Sequence, residues 1–378
     1  MSLSRYKLLL ILISLSAEAF SQANSPVIHQ TQSVKFKDHS VPDKVVDLKN
    51  KETLESDANR DVLSRSRVTS PGENEVSLNL GASLINQRNQ FLTNDGLILR
   101  DEQRTLEAAA QQIGSGNDYE SQFALLRINR NRSDAENYLR KAAAMRPSDA
   151  LLQLETAWVA ERVGKTKERN QAAKLALNSG LVSPVLVQQA KWMASSAGNG
   201  GIIITNGEND TYPFWTLGDI GNYSVISLQF INEPDYLNQK LKEAGINSQV
   251  SSKSDPDELI QLLKKSGKRI LISWAVHPDY LTKWRKNLYA AGPGLVLSDS
   301  AIDNIELLRS FYSNQDIRTY IQNGAWIHDT FAAGMANLLP GIDILLTSGN
   351  ISDIEKNAFN DLKAMLLSNL QKAGVHGR

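Results

Sequence analysis

The chain has 378 residues, 41% of them hydrophobic and 22% charged, which suffices for two domains with a sizeable core and is typical of a globular protein. Lys plus Arg and Asp plus Glu both number 41, and the resulting net charge of zero argues against nucleic acid or an anionic membrane bound through bulk charge. The sequence holds no cysteine, which excludes disulfides, thiolate chemistry and the lipid anchor of a lipoprotein.

The first 21 residues have the pattern of a secretory signal peptide. Arg5 and Lys7 form a short basic start, and residues 8–15 form an apolar run that is too short to cross a bilayer. Small residues follow, and we expect cleavage after Ser21. No later segment is predicted to span a membrane. The sequence therefore predicts an exported protein of the bacterial periplasm or cell exterior.

Residues 22–100 are predicted to be a disordered tether. Polar and charged residues dominate this stretch, and no apolar period persists in it. Such a composition buries too little apolar surface to offset the entropy of ordering the chain.

Residues 101–198 are predicted to form a helical domain. Amphipathic helices are expected at 135–145, 151–163 and 168–177. Asn137 and Lys141 recur as Asn170 and Lys174, 33 positions later in each case, close to the ~34-residue period of tetratricopeptide helix pairs. A plain antiparallel helix bundle is the alternative. Stacked helix pairs often present a groove to a peptide or protein, so an envelope protein is the expected partner.

From residue 199 to 325 the pattern changes to short apolar runs that alternate with amphipathic helices. The strand candidates are 201–205, 223–231, 269–276 and 294–298, and the helix candidates between them are 235–244, 257–265 and 280–290. This alternation predicts an α/β domain with a parallel sheet and helices on both faces. Residues 326–378 are predicted to be helical and to pack on that domain.

Polar side chains follow three of the four predicted strands. In an open parallel sheet, ligands bind beyond the carboxyl ends of the strands, so these loops are expected to share one rim. The candidate ligand-binding residues are Asn206, Glu208, Asn209, Asp210, Thr211, Trp215, His277, Asp279 and Asp299.

Three roles are open for the loop at 206–215. Its alternating Asn206, Glu208 and Asp210 suggest calcium ligands, but Thr211 stands where a helix-loop-helix calcium site needs Gly, and no metal site is predicted. A sugar or other polyol would suit the carboxylates and carboxamides, with Trp215 or its aromatic neighbours stacking on a ring face. In the third role, Asn and Asp only cap the helix that follows.

His277 is a candidate general base held by Asp279 or Asp210, although a His before Pro is more commonly a loop or capping residue. The Ser-Asp-Ser sequence around Asp299 is favoured as a helix cap. No nucleophile elbow, zinc-protease motif, phosphate-binding loop or dinucleotide fingerprint occurs in the sequence, so no cofactor is predicted.

Residues 204–215, which read Ile-Thr-Asn-Gly-Glu-Asn-Asp-Thr-Tyr-Pro-Phe-Trp, resemble the TNGDNDT(F/Y)P-x-W signature of a Bacteroidetes membrane family described as protein O-mannosyltransferase-like. The likeness continues at 225–238 and 280–297 and covers about residues 200–300. It implies an extracytoplasmic α/β domain accompanied by tetratricopeptide-like helices. It does not imply transferase activity, because the family keeps its catalytic acids between membrane spans that this sequence lacks. Glu208 also replaces the family's usual Asp.

Together these patterns predict an exported, non-catalytic binding or accessory protein of the bacterial envelope, linked to glycan or glycoprotein handling. One alternative is a glycan-modifying enzyme or hydrolase that uses the acidic loop 206–211 with His277. Another is an envelope scaffold in which the polar loops are purely structural.

Overall fold

The computed structural model describes residues 106–108, 110–111, 117–218, 222–250 and 255–375. They form two compact units, one ending at Ala176 and the other beginning at Leu177. The predicted signal peptide and tether lie outside the described residues. Within the described part of the chain, no helix is long and apolar enough to cross a membrane.

The first unit is helical. Its elements are α1 (Tyr119–Asn129), α2 (Ala135–Met145), α3 (Ala150–Arg162) and most of α4 (Thr166–Asn178). The carboxylate of Asp118 begins α1 by accepting from Ser121 N at 2.9 Å. Asp149 begins α3 in the same way, accepting from Leu151 N at 2.9 Å and Leu152 N at 3.1 Å. These caps satisfy amide groups that the first helical turn leaves without partners.

Buried charge joins α1 to α3 in this unit. Glu155 is 1% exposed and pairs with both Arg127 and Arg130. The Arg130 guanidinium also lies 3.9 Å from the centre of the Trp158 ring. Buried charges are tolerated when they are paired in this way, and removing one partner is costly.

The second unit contains a five-stranded mixed sheet in the order β2-β1-β3-β5-β4. The strands are β1 (Ile202–Thr205), β2 (Ser224–Ser227), β3 (Ile270–Ser273), β4 (Leu288–Ala290) and β5 (Gly294–Leu297). β1 is parallel to β2 and β3, whereas β5 is antiparallel to both β3 and β4. β1 and β3 are buried along their whole length, as the continuous apolar runs of central parallel strands require.

The prediction of an all-parallel sheet is therefore wrong, as is that of a helix over 280–290. The helix that begins at Pro278 ends at Trp284, and residues 288–290 form β4 instead. β4 and β5 form a hairpin whose turn contains Gly292, with φ of 84°, and Pro293. A residue with positive φ and a proline cannot continue a helix or a strand, so the chain reverses there.

The helices of this unit follow in chain order. They are α5 (Pro184–Ala197), α6 (Glu208–Thr216), α7 (Pro234–Glu243), α8 (Pro256–Lys265), α9 (Pro278–Trp284), α10 (Asn304–Ser313), α11 (Gln315–Asn323), α12 (Leu339–Thr347) and α13 (Asp353–Lys372). A 3₁₀ turn, Ala332–Leu338, precedes α12. The predicted helices of 326–378 thus belong to the same compact unit as the sheet.

α5 contacts β1 and β3 and belongs to the α/β unit, although the sequence placed residues up to 198 in the helical domain. Gly294 of β5 permits part of this packing, because a Cβ there would lie 3.1 Å from Met193 Cε and 3.0 Å from Ile272 O. Ser183 begins α5 and donates to Asp329 Oδ1 at 2.7 Å. This hydrogen bond fixes the start of α5 to the segment that precedes the 3₁₀ turn.

Gly292→Ala should destabilise the hairpin more than an alanine at another left-handed glycine. At Gly245, φ is 68° and nothing lies within 4 Å of an added Cβ, so Gly245→Ala should cost about 1–2 kcal/mol from backbone strain alone. At Gly292 an added Cβ would lie 2.5 Å from the Phe311 ring, which adds on the order of 1–3 kcal/mol. Urea unfolding of the two variants checks the order, and equal midpoints would contradict it.

Candidate functional site

The chain places β2 on one side of β1 and β3 on the other, so the order of the strands reverses between β1 and β3. The crevice at this point is the candidate site. β1 pairs with β2 on one side and with β3 on the other, and Ile204 is level with Ile272. The loops that leave neighbouring strands in opposite directions open a crevice at such a point, and α/β sheets commonly bind ligands there. Here the segments after β1 and β3 meet, and the Ser273 hydroxyl donates to the Asp210 carboxylate.

Asp210 organises the loop after β1. Its Oδ2 accepts from Asn206 N at 2.9 Å and its Oδ1 from Gly207 N at 2.7 Å. In a capping box, the N-cap side chain and the side chain three residues later each accept from the other residue's amide. Gly207 has no side chain, so at the start of α6 only the bond to Asp210 forms. Asp210 is 8% exposed, so the capping role considered from sequence is the one its contacts show.

Thr211 and Trp215 belong to the core. The Thr211 hydroxyl donates to Thr205 Oγ1 at 2.8 Å, and both residues are fully buried. Trp215 is 2% exposed and packs edge-on against Tyr212, with ring centres 5.2 Å apart. Trp215 therefore has no exposed ring face on which a sugar could stack. Its ring fills the interior, as aromatic residues after a buried strand often do.

Asp299 does not share this edge of the sheet. Because β5 is antiparallel, Leu297 lies level with Ile270 at the start of β3, and the chain after β5 leaves from the opposite edge. There Asp299 accepts from Lys264 Nζ at 2.6 Å and Asn287 Nδ2 at 3.0 Å. The predicted single rim of three loops is wrong for this loop, because the hairpin reverses the strand that carries it.

His277 and Asp279 follow β3 at the start of α9. His277 Nδ1 accepts from Asp279 N at 3.3 Å and lies 3.5 Å from Asp279 Oδ2. One ring nitrogen cannot accept from the amide and donate to the carboxylate at once, and its position at the helix N-terminus favours accepting. Asp279 is 72% exposed, so this pair lies at the surface.

A small cavity lies in the crevice. Its volume is about 30 Å³, which is room for about two water-sized groups at roughly 10–15 Å³ each. Its polar lining residues are Gln189, Asn209, Asp210, Ser273, Trp274 and Asn337, and its apolar ones are Leu186, Ala190, Met193, Phe214, Pro293 and Leu338. Of the predicted site residues, the structure thus brings Asn209 and Asp210 to the cavity. Asn206 and Glu208, in the same loop, are half-buried. Neither of them lines the cavity, and neither does His277.

Two residues that line this cavity each have a buried polar atom with no hydrogen-bond partner among the described residues. The atoms are Trp274 Nε1 and Asn337 Oδ1. Trp274 is 3% and Asn337 5% exposed. A buried polar group without a partner costs about 1–3 kcal/mol, so each such group calls for an explanation.

Sequence reasoning missed Ser273, Trp274 and Asn337. Ser273 and Trp274 were read as part of a strand, although the strand ends at Ser273. Asn337 begins a largely apolar run, for which no site role was predicted. The carboxamide of Asn337 stands next to apolar residues in the sequence. A polar side chain at a core position needs a hydrogen-bond partner, so this pattern could have indicated a site.

The Asp210 carboxyl has an unusual proton affinity. Burial raises its pKa to about 6, against the opposing effect of hydrogen bonds from the Asn206 and Gly207 amides and the Ser273 hydroxyl. No group of three or more His, Asp or Glu side chains that could hold a metal ion occurs within the described ranges.

Comparison with known proteins does not add a relative. No protein-family model matches the chain, and no curated protein or solved structure matches it. The resemblance of residues 204–215 to the O-mannosyltransferase-like family therefore remains a prediction from the motif.

The raised pKa of Asp210 should make folding stability depend on pH. Between about pH 4 and 6 the folded protein holds a proton that the unfolded chain has released, so stability falls as pH rises, by about 3 kcal/mol in all. Asp210→Asn has no such titration. The difference in unfolding free energy, wild type minus variant, should therefore fall over this interval and level off above it.

Denaturant unfolding at half-unit pH steps measures this difference, and groups common to both proteins cancel. Ser273→Ala removes a donor that stabilises the carboxylate, so in that variant the fall should extend to higher pH. Parallel curves for the wild type and Asp210→Asn would show that the carboxyl does not titrate in this range.

Proposed function

We propose that this protein is an exported, non-catalytic binding or accessory protein of the bacterial envelope, and that its α/β unit holds a polar ligand in the crevice between β1 and β3. The observation that carries the proposal is that two residues lining one cavity, Trp274 and Asn337, each have an unpartnered buried atom, Nε1 and Oδ1 respectively. A ligand that supplies both hydrogen bonds would recover their desolvation cost.

The contacts of the acidic loop support binding rather than catalysis. A general base must reach the proton that it removes, yet the Asp210 carboxylate is already occupied by two backbone amides and the Ser273 hydroxyl. His277, the partner in the enzyme alternative, caps α9 and does not line the cavity.

We also propose that the helical unit is tetratricopeptide-like and holds a protein partner. Asn137 and Lys141 lie on α2, and Asn170 and Lys174 lie on α4. The two copies of the repeat therefore lie on alternate helices, which supports a helix-pair repeat. Stacked pairs of this kind present a groove to peptides.

Trp274→Phe should weaken ligand binding because it removes the indole N–H and keeps most of the ring. In a panel of neutral mono- and oligosaccharides titrated into the full chain by calorimetry, we expect at least one ligand, with an affinity about tenfold lower for Trp274→Phe.

Trp326→Phe is the matched control for this experiment. Trp326 is 2% exposed, its Nε1 also lacks a partner among the described residues, and it does not line the cavity. Equal loss of affinity in both variants, or no binding to any member of the panel, would refute the proposal.

A further inference from the structure

The unpartnered atoms of the two lining residues Trp274 and Asn337 have opposite hydrogen-bonding character. The indole Nε1 of Trp274 can only donate, and the Oδ1 of Asn337 can only accept. A ligand group that satisfies both must accept from one and donate to the other. Hydroxyls and water do this with a single oxygen atom, whereas a carboxylate or phosphate oxygen only accepts and an ammonium only donates.

The charges around the cavity also favour a neutral group. Asp210 is the one ionisable side chain among the residues that line it, and no Lys, Arg or His is among them. An anion would meet a carboxylate and a carboxamide oxygen with no cation to balance it, and burying such a charge is costly. A cation could pair with Asp210, but it would leave the Trp274 N–H without an acceptor.

The size of the cavity limits how much of a ligand can enter. A volume of about 30 Å³ accommodates one oxygen with its carbon and not a sugar ring. Half of the lining is apolar, including Met193 and Phe214, which suits a methylene beside the hydroxyl. Gln189 and Asn209, two polar residues of the lining, are only half-buried, so they are placed to meet the part of a ligand that stays outside.

We infer that the crevice takes a single hydroxymethyl arm, –CH₂OH, of a neutral sugar or polyol, with the arm's oxygen accepting from Trp274 Nε1 and donating to Asn337 Oδ1. The inference rests on the proposed binding function and specifies the ligand class. The remaining atoms of the ligand lie outside the cavity against Gln189 and Asn209.

Titration of the full chain with glycerol, observed through the indole N–H resonances, tests the inference. The chain has six tryptophans, and the Trp274 and Trp326 signals are identified by their loss in the two Phe variants. Glycerol should shift the Trp274 resonance saturably and leave that of Trp326 in place. Sodium acetate and ethylammonium chloride at the same concentration should not produce the shift.

Asn337→Leu removes the acceptor at nearly constant size and should weaken the glycerol response of Trp274 at least tenfold. Asn337→Ala is a second variant for the same purpose, and the Trp326 resonance reports whether either one is folded. A Trp274 shift that is equal for acetate and glycerol would overturn the inference. So would a crystal structure grown with glycerol in which Trp274 Nε1 donates directly to Asn337 Oδ1, or in which a water holds the site.

A further comparison separates this inference from the proposed function. The strongest sugar of the panel is titrated again as its analogue that lacks the primary hydroxyl. Equal affinity for the two, with Trp274→Phe still weakening both, would refute the hydroxymethyl assignment and leave the binding function standing. A loss of about tenfold or more for the analogue supports the assignment. If no sugar binds and glycerol gives no shift, both fail.

Discussion

The α/β unit depends on the buried carboxylate of Asp210. It holds the amides of Asn206 and Gly207, which sets the path of the chain after β1, and it accepts from Ser273, which ties that path to the end of β3. A carboxylate that receives several hydrogen bonds can stay in the interior, although its desolvation still raises the pKa. This one set of bonds therefore joins two of the segments that line the cavity.

The helical unit uses buried charge in a related way. Glu155 of α3 pairs with Arg127 of α1 and with Arg130 directly after that helix, and Arg130 lies on the Trp158 ring. In each unit an acidic side chain below 9% exposure connects segments that are distant in sequence. Removing a partner of either carboxylate is expensive, because it leaves a buried acidic group without its hydrogen bond or counter-charge.

Periodicity predicted much of the fold and little of the site. Strands β1, β3 and β5 were visible as apolar runs, and α2, α3 and α4 as amphipathic helices. β4 could not be recognised, because the apolar pattern of its three residues continues the helical period of the residues before it. Its pairing with β5 moved Asp299 to the far edge of the sheet. Of the site, Asp210 was found from its loop. Trp274 and Asn337 line the same cavity only because of tertiary packing, which local patterns do not encode.

The lengths of the outermost strands affect how the protein behaves at high concentration. β2 has four residues and β4 has three, and among the described residues each pairs with one other strand. An exposed strand edge invites pairing with another chain, and long, flat edges are the ones that seed aggregates. Edges this short offer few backbone groups to a second copy. For a chain without disulfides to restrain partly unfolded states, that brevity is a protection against intermolecular sheet growth.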